Sequence, residues 1–213
     1  MRKDADDIGI GAIDLNDLIS KESFVEDYFY LQDIKDRKLT LKGQIDTCSV
    51  DEVSGHILRY NAQDKGIPTE ERKPILLYLT SDGGDVDAGF ELIDVIENSK
   101  TPVHIINLGY CYSMAFIIYI AGHKRYASKN ATFLIHDGNS YVSNSNGKAQ
   151  DTMDFIAKIE KRIKEYILSK TSISSKEYTR NLRKEWYMYA GDAKEKGVVD
   201  AILGEDIDID DIS

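Results

Sequence analysis

Four short segments carry residue types that together can perform acyl transfer: Ser81-Asp82-Gly83-Gly84, Gly109-Tyr110-Cys111-Tyr112-Ser113-Met114, Phe133-Leu134-Ile135-His136-Asp137-Gly138 and Glu185-Trp186-Tyr187. Such chemistry needs a nucleophile, a base to take its proton, a group that orients the base, and donors for the oxyanion. Ser113 stands where a strand turns into an apolar helix, so free N–H groups and the helix dipole favour developing negative charge there, and Met114 offers the neighbouring N–H. Gly84 has no side chain and can bring a second N–H close. His136 ends a hydrophobic strand, and an acid comes later in the chain. The order Ser, His, acid is not that of chymotrypsin, subtilisin or the α/β-hydrolases.

Each residue alone has an ordinary explanation. Ser113 suits a helix N-cap, Gly83-Gly84 a turn, His136 a satisfied structural position, and Glu185 an exposed surface. The chemical reading rests on the four segments together.

The elements that must position these residues alternate between strand and helix. A helix is expected over Phe24 to Arg37, a strand over Leu39 to Ile45, a helix over Val50 to Ala62, and a buried strand over Ile75 to Leu79. Gly83-Gly84 break that strand before a helix over Val86 to Ser99, and Pro102 opens a strand from Val103 to Leu108. Met114 to Ala121 is apolar all round and predicts a buried helix, followed by a strand from Ala131 to His136. This alternation implies an α/β fold with parallel pairing and right-handed crossovers. The long helix from Asp151 to Lys170 places Phe155, Ile156, Ile159, Ile163, Tyr166 and Ile167 on one stripe, which suits either packing on its own domain or a contact between subunits. Ser174 or Ser175 can cap one more helix. Residues 1–20 read as a flexible or partner-ordered arm, and residues 204–213 as a solvated acidic tail.

A chain of 213 residues can bury about 70% of its unfolded surface, enough for one full domain. The formal net charge of −10, from 37 acidic against 27 basic residues, disfavours nucleic acid and anionic membranes, leaving proteins or peptides as partners. Cys48 and Cys111 form no CxxC pair, which suits a reducing compartment, and the four scattered histidines suggest no zinc site. The N-terminus has no apolar core of a secretory signal. The apolar stretch from Val103 to Ala121 contains His104, Asn107, Gly109 and Ser113 and reads as strand, turn and helix, not as a membrane span. A cytoplasmic location is expected.

From about Phe24 to Leu203 the sequence resembles the Clp protease proteolytic subunits of the ClpP/crotonase superfamily. Members carry Ser-Pro-Gly-Gly leading to Ala-Gly, similar to Ser81-Asp82-Gly83-Gly84 leading to Ala88-Gly89. Their nucleophile motif Gly-x-Ala-x-Ser-Met is similar to Gly109 through Met114, and their apolar-Ile-His to Leu134-Ile135-His136. Trp186 to Ala193 and Gly197-Val198-Val199-Asp200 fit the family's frame around its catalytic acid, which places that role on Glu185, with Asn181 a competing orienting group. Departures are Asp82 for proline, Tyr112 for a small residue, Asp137-Gly138 for Gln-Pro, and glutamate for aspartate.

The resemblance implies a ββα superhelix with a protruding handle helix at about residues 139–170, within a peptidase domain at 21–203. It implies a serine endopeptidase with Ser113 as nucleophile, His136 as base, Glu185 orienting it, and an oxyanion hole of Gly84 and Met114. It also implies two stacked heptameric rings fed with unfolded polypeptide by an AAA+ unfoldase, with ATP used by that partner and no metal or organic cofactor in the subunit. Rival readings are a catalytically silent ring subunit, a specialised maturation or regulatory peptidase on the same fold, and an acyl-CoA enzyme of the crotonase kind. The last has no use for a Ser-His pair at this spacing.

Overall fold

In the computed structural model the described residues are 22–138 and 146–212. The expected N-terminal arm and the first residues of the expected handle, 139–145, lie outside them. The chain divides into two compact units, the first ending at Arg37 and the second beginning at Lys38. In the first, helix α1 (Glu22–Lys35) leaves Tyr28, Phe29 and Leu31 exposed.

The second unit carries every segment singled out for chemistry. It runs β1 (Lys38–Ile45), α2 (Thr47–Gln63), β2 (Ile75–Gly84), α3 (Val86–Asn98), β3 (Val103–Asn107), β4 (Tyr110–Tyr112) and α4 (Met114–Tyr119). It continues through β5 (Lys124–Ser128), β6 (Thr132–Ile135), α5 (Asn146–Lys170), α6 (Ser175–Asn181), β7 (Trp186–Tyr189), α7 (Ala190–Glu195) and β8 (Ala201–Leu203). The strands form one sheet in the order β7-β6-β4-β2-β3-β5-β8, with β1 also paired to β2. Pairing is parallel throughout except between β6 and β7, which are antiparallel. The α/β architecture expected from the alternation is present, and the antiparallel last pair is the exception to all-parallel pairing.

Local chemistry accounts for the boundaries. Asp46 and Ser49 form a reciprocal capping box at the start of α2, and Asp85 accepts from the Ala88 N–H at the start of α3. Of the two serines that could cap α6, Ser174 does so, accepting from the Glu177 N–H. In β2 the side chains of Ile75, Leu77 and Leu79 are wholly enclosed, as are Leu92 and Ile96 of α3 and Phe116 of α4. Burying each such side chain contributes roughly 1.5–3 kcal/mol.

Three features differ from the expectation. Strand β2 continues through Gly83 and Gly84, because β1 follows it to an Ile45–Gly84 pairing, so the glycines end the strand instead of interrupting it. The short strands β4, β5 and β8 have too few residues to show a period in sequence and are defined by their partners. The C-terminal tail is partly docked: Ile207 and Ile212 pack against a cluster of Leu76, Ile106 and Tyr126, Asp206 pairs with Lys194, and the Ile202 N–H donates to Asp206. Its apolar residues find a surface that the acid-rich composition does not announce.

His104 on β3 sits in the same part of the sheet, edge-on to Tyr126, with Nδ1 enclosed and unpartnered. Burial, reinforced by the positive charge of Lys124 and by His123, lowers its pKa from the usual 6.5 to about 4. The unfolded chain therefore binds a proton that the folded chain refuses across that interval, and stability falls as pH drops from about 6.5 towards about 4. His104→Leu is expected to flatten the fall, read as melting temperature against pH; an unchanged slope would assign the acid sensitivity elsewhere.

Candidate active site

Strand register brings the separate motifs together. Ser81 of β2 pairs with Cys111 of β4, so Gly83 comes abreast of Ser113 just past the end of β4. Tyr112 pairs with Leu134 of β6, and the Ser113 N–H donates to the Leu134 carbonyl at 3.0 Å, which puts His136 just beyond Ser113 along the neighbouring strand. Ile135 pairs with Trp186 in the antiparallel β6–β7 ladder, so the residue after Ile135 faces the residue before Trp186. His136 and Glu185 are thereby made neighbours, and His136 Nδ1 lies 3.1 Å from Glu185 Oε1.

Ser113 occupies the N-cap position of α4 but makes no side-chain capping bond. Its φ of +53° lies in the left-handed region that non-glycine residues rarely adopt, at a sharp strand-to-helix turn. The capping explanation of this serine therefore fails. Ser113 and His136 line one pocket together, with Met114, Ile117 and Ile135 among the apolar walls. Among the described residues no hydrogen bond joins the Ser113 hydroxyl to His136; such contacts in unliganded sites commonly close when substrate binds.

The glycine pair has a divided role. Gly83 has a φ of +100°, and a Cβ on it would stand 2.8 Å from Ser113 Cβ and 2.9 Å from the Met114 nitrogen. Its N–H is occupied, donating to the buried Ser81 hydroxyl at 3.0 Å. That leaves the Gly84 N–H as the pair's candidate oxyanion donor, beside Met114 at the first position of α4. The Met114 side chain in turn needs Gly89, where a Cβ would fall 2.3 Å from Met114 Cε. The Ala88-Gly89 step thus lets α3 approach α4.

Asn181 does not compete for His136. Its side-chain amide donates to the Glu177 carbonyl one turn back along α6, and the geometry leaves Glu185 as the group on the imidazole. Glu185 is 59% exposed and His136 22% exposed, so this pair is well hydrated and its attraction screened. Glu185→Gln is expected to lower kcat/KM by on the order of 10² while leaving thermal stability nearly unchanged. An activity within twofold of the parent would remove Glu185 from the orienting role.

Two supporting residues escaped the sequence reading. Asn107 is fully buried at the end of β3, where its side-chain Oδ1 accepts from the Gly109 N–H and its side-chain Nδ2 donates to the Thr132 carbonyl, fixing the turn into β4. The signal available was a lone asparagine closing an apolar strand just before Gly109. Tyr178 of α6 lines the pocket beside Ser113 and His136. Tyr112 packs among Tyr110 and Tyr187 and bonds the Thr132 hydroxyl at 2.8 Å. In α5, Ile163 and Ile167 serve the same pocket while Phe155 and Met153 remain exposed, so the apolar stripe is only partly used within this chain.

A sheet whose strand ends bring a serine and a carboxylate-bonded histidine to one pocket, with two glycines at positive φ alongside, defines an α/β protein of the ClpP/crotonase kind. The family profile described as Clp protease matches residues 21–206, and the chain belongs to that family. Among its relatives is the ATP-dependent Clp protease proteolytic subunit 2 of Treponema pallidum (strain Nichols), 28% identical over 189 residues that cover 86% of this chain and 90% of the relative.

Proposed function

We propose that this chain is a serine endopeptidase subunit in which Ser113 attacks the peptide carbonyl, His136 accepts its proton and returns it to the leaving amine, and Glu185 orients His136 through Nδ1. The N–H groups of Gly84 and Met114 hold the oxyanion. The observation that carries this reading is the convergence of Ser113 and His136 on one pocket, with His136 Nδ1 3.1 Å from Glu185 Oε1. Water, deprotonated by His136, then attacks the acyl ester and releases the acid product as the proton returns to Ser113; besides water the chemistry needs only side chains and backbone amides, so no metal or organic cofactor enters it.

Family membership supports the remaining parts. The subunit assembles as two stacked heptameric rings and works in the cytoplasm on unfolded polypeptides delivered by an AAA+ unfoldase, which uses the ATP. The net charge of −10 fits a protein that avoids nucleic acid and anionic membranes. Among the described residues no helix is long and apolar enough to cross a membrane.

Fluorophosphonate labelling read by peptide mass spectrometry tests the site. Label is expected on Ser113 and absent from Ser113→Ala. A folded, assembled protein that takes no label would favour the silent ring subunit, a reading that the exposure of Glu185 and the open Ser113–His136 contact would then support.

A further inference from the structure

The pocket beside Ser113 and His136 has apolar walls from Val86, Met114, Ile117, Ile135, Ile163 and Ile167. Its volume of about 60 Å³ gives room for about four water-sized groups. That is the bulk of one medium side chain, not of an aromatic one. Tyr178, from α6, interrupts the apolar lining.

Tyr178 is 3% exposed, yet its hydroxyl makes no hydrogen bond among the described residues. A hydroxyl that loses its access to water without gaining a partner is costly. Among the described residues the side-chain atoms enclosed without a partner are Ser54 Oγ and His104 Nδ1. The Tyr178 hydroxyl is not among them, so it keeps some accessible surface, and Tyr178 is a lining residue of this pocket. Burial, with the negative charges of Glu160 and Asp137, pushes its pKa up to about 12. The phenol therefore stays protonated and able both to donate and to accept.

We propose that the Tyr178 hydroxyl reads the tip of the substrate side chain held beside Ser113, so that this subsite takes a residue with an aliphatic stem and a hydrogen-bonding end. This deepens the peptidase reading and rests on it. An apolar tip would cover the hydroxyl and leave it unpaired, whereas a carbonyl, amide or thioether tip would satisfy it.

Two peptides differing only before the scissile bond, glutamine in one and norleucine in the other, separate the hydroxyl's effect from size. The kcat/KM ratio of glutamine to norleucine is expected to fall about tenfold in Tyr178→Phe. Because it is taken within each protein, the ratio is unaffected by any loss of active molecules. The same comparison on Ser113→Ala, with and without Tyr178→Phe, uses the affinities of product peptides ending in glutamine or norleucine and needs no catalysis. An unchanged ratio in these measurements, or product peptides that do not bind, would overturn the proposal. Absence of cleavage with the affinity ratio still shifted would instead count against the peptidase reading while upholding the role of Tyr178 in binding.

Discussion

Replacing Ser113 by alanine is expected to lower peptide hydrolysis by on the order of 10⁴-fold or more, with the melting temperature nearly unchanged. The rate loss follows from removing the group that forms the acyl bond. The unchanged stability follows from the structure: the Ser113 hydroxyl caps no helix, so its removal orphans no capping bond. Alanine at a φ of +53° carries a backbone penalty close to that of serine, because both have a Cβ. Hydrolysis and thermal unfolding of the same preparation check both halves. Residual activity within tenfold of the parent would place the nucleophile elsewhere, and a large loss of stability would mean that the hydroxyl is structural.

Gly84→Ala carries the second large effect, and it acts on fold and chemistry together. A Cβ at this position would stand 2.2 Å from the Ile45 carbonyl oxygen and 2.8 Å from the Ile45 nitrogen, both backbone atoms of β1. The Ile45 carbonyl is already held by the Asp85 N–H at 2.8 Å, so it has little freedom to retreat. The φ of +152° adds strain for any residue with a Cβ. The β1–β2 pairing must open at its end, at an expected cost of about 3 kcal/mol or more. Displacing the Gly84 N–H should cost a further 10²–10³-fold, roughly, in kcat of the molecules that remain folded. Denaturant unfolding gives the first quantity and active-site-titrated kinetics the second. Full activity per active site, despite lost stability, would remove Gly84 from the oxyanion hole and leave Met114 with another partner.

Most of the strands and helices were legible in the sequence because their signals are local. The enclosed run from Ile75 to Leu79, the capping pattern at Asp85 and the apolar stretch after Ser113 each declare an element within a few residues. The short strands β4, β5 and β8 were not legible, since three to five residues show no usable period and their pairing partners are distant in the chain. The docked tail was hidden for a related reason: Ile207 and Ile212 are scattered among acids, and what they cover comes from β2, β3 and β5.

By itself the sequence determined which residues could do chemistry and membership of a family whose motifs lie in the same order; that positions 83 and 84 admit no Cβ came from the packing. Tertiary structure decided among equals. Ser113 became a free hydroxyl because the turn into α4 holds it at positive φ without a capping bond. Glu185, and not Asn181, bonds His136 because antiparallel pairing of Ile135 with Trp186 sets residue 185 opposite His136, while the Asn181 amide bonds back into its own helix. Gly84 became the available donor because Ser81 occupies the Gly83 N–H. Tyr178, unremarkable in sequence, reached the pocket only through the packing of α6 beside α5 residues Ile163 and Ile167. Residue type and local spacing are written along the chain, but which groups meet depends on register between strands tens of residues apart, and register is a property of the assembled sheet.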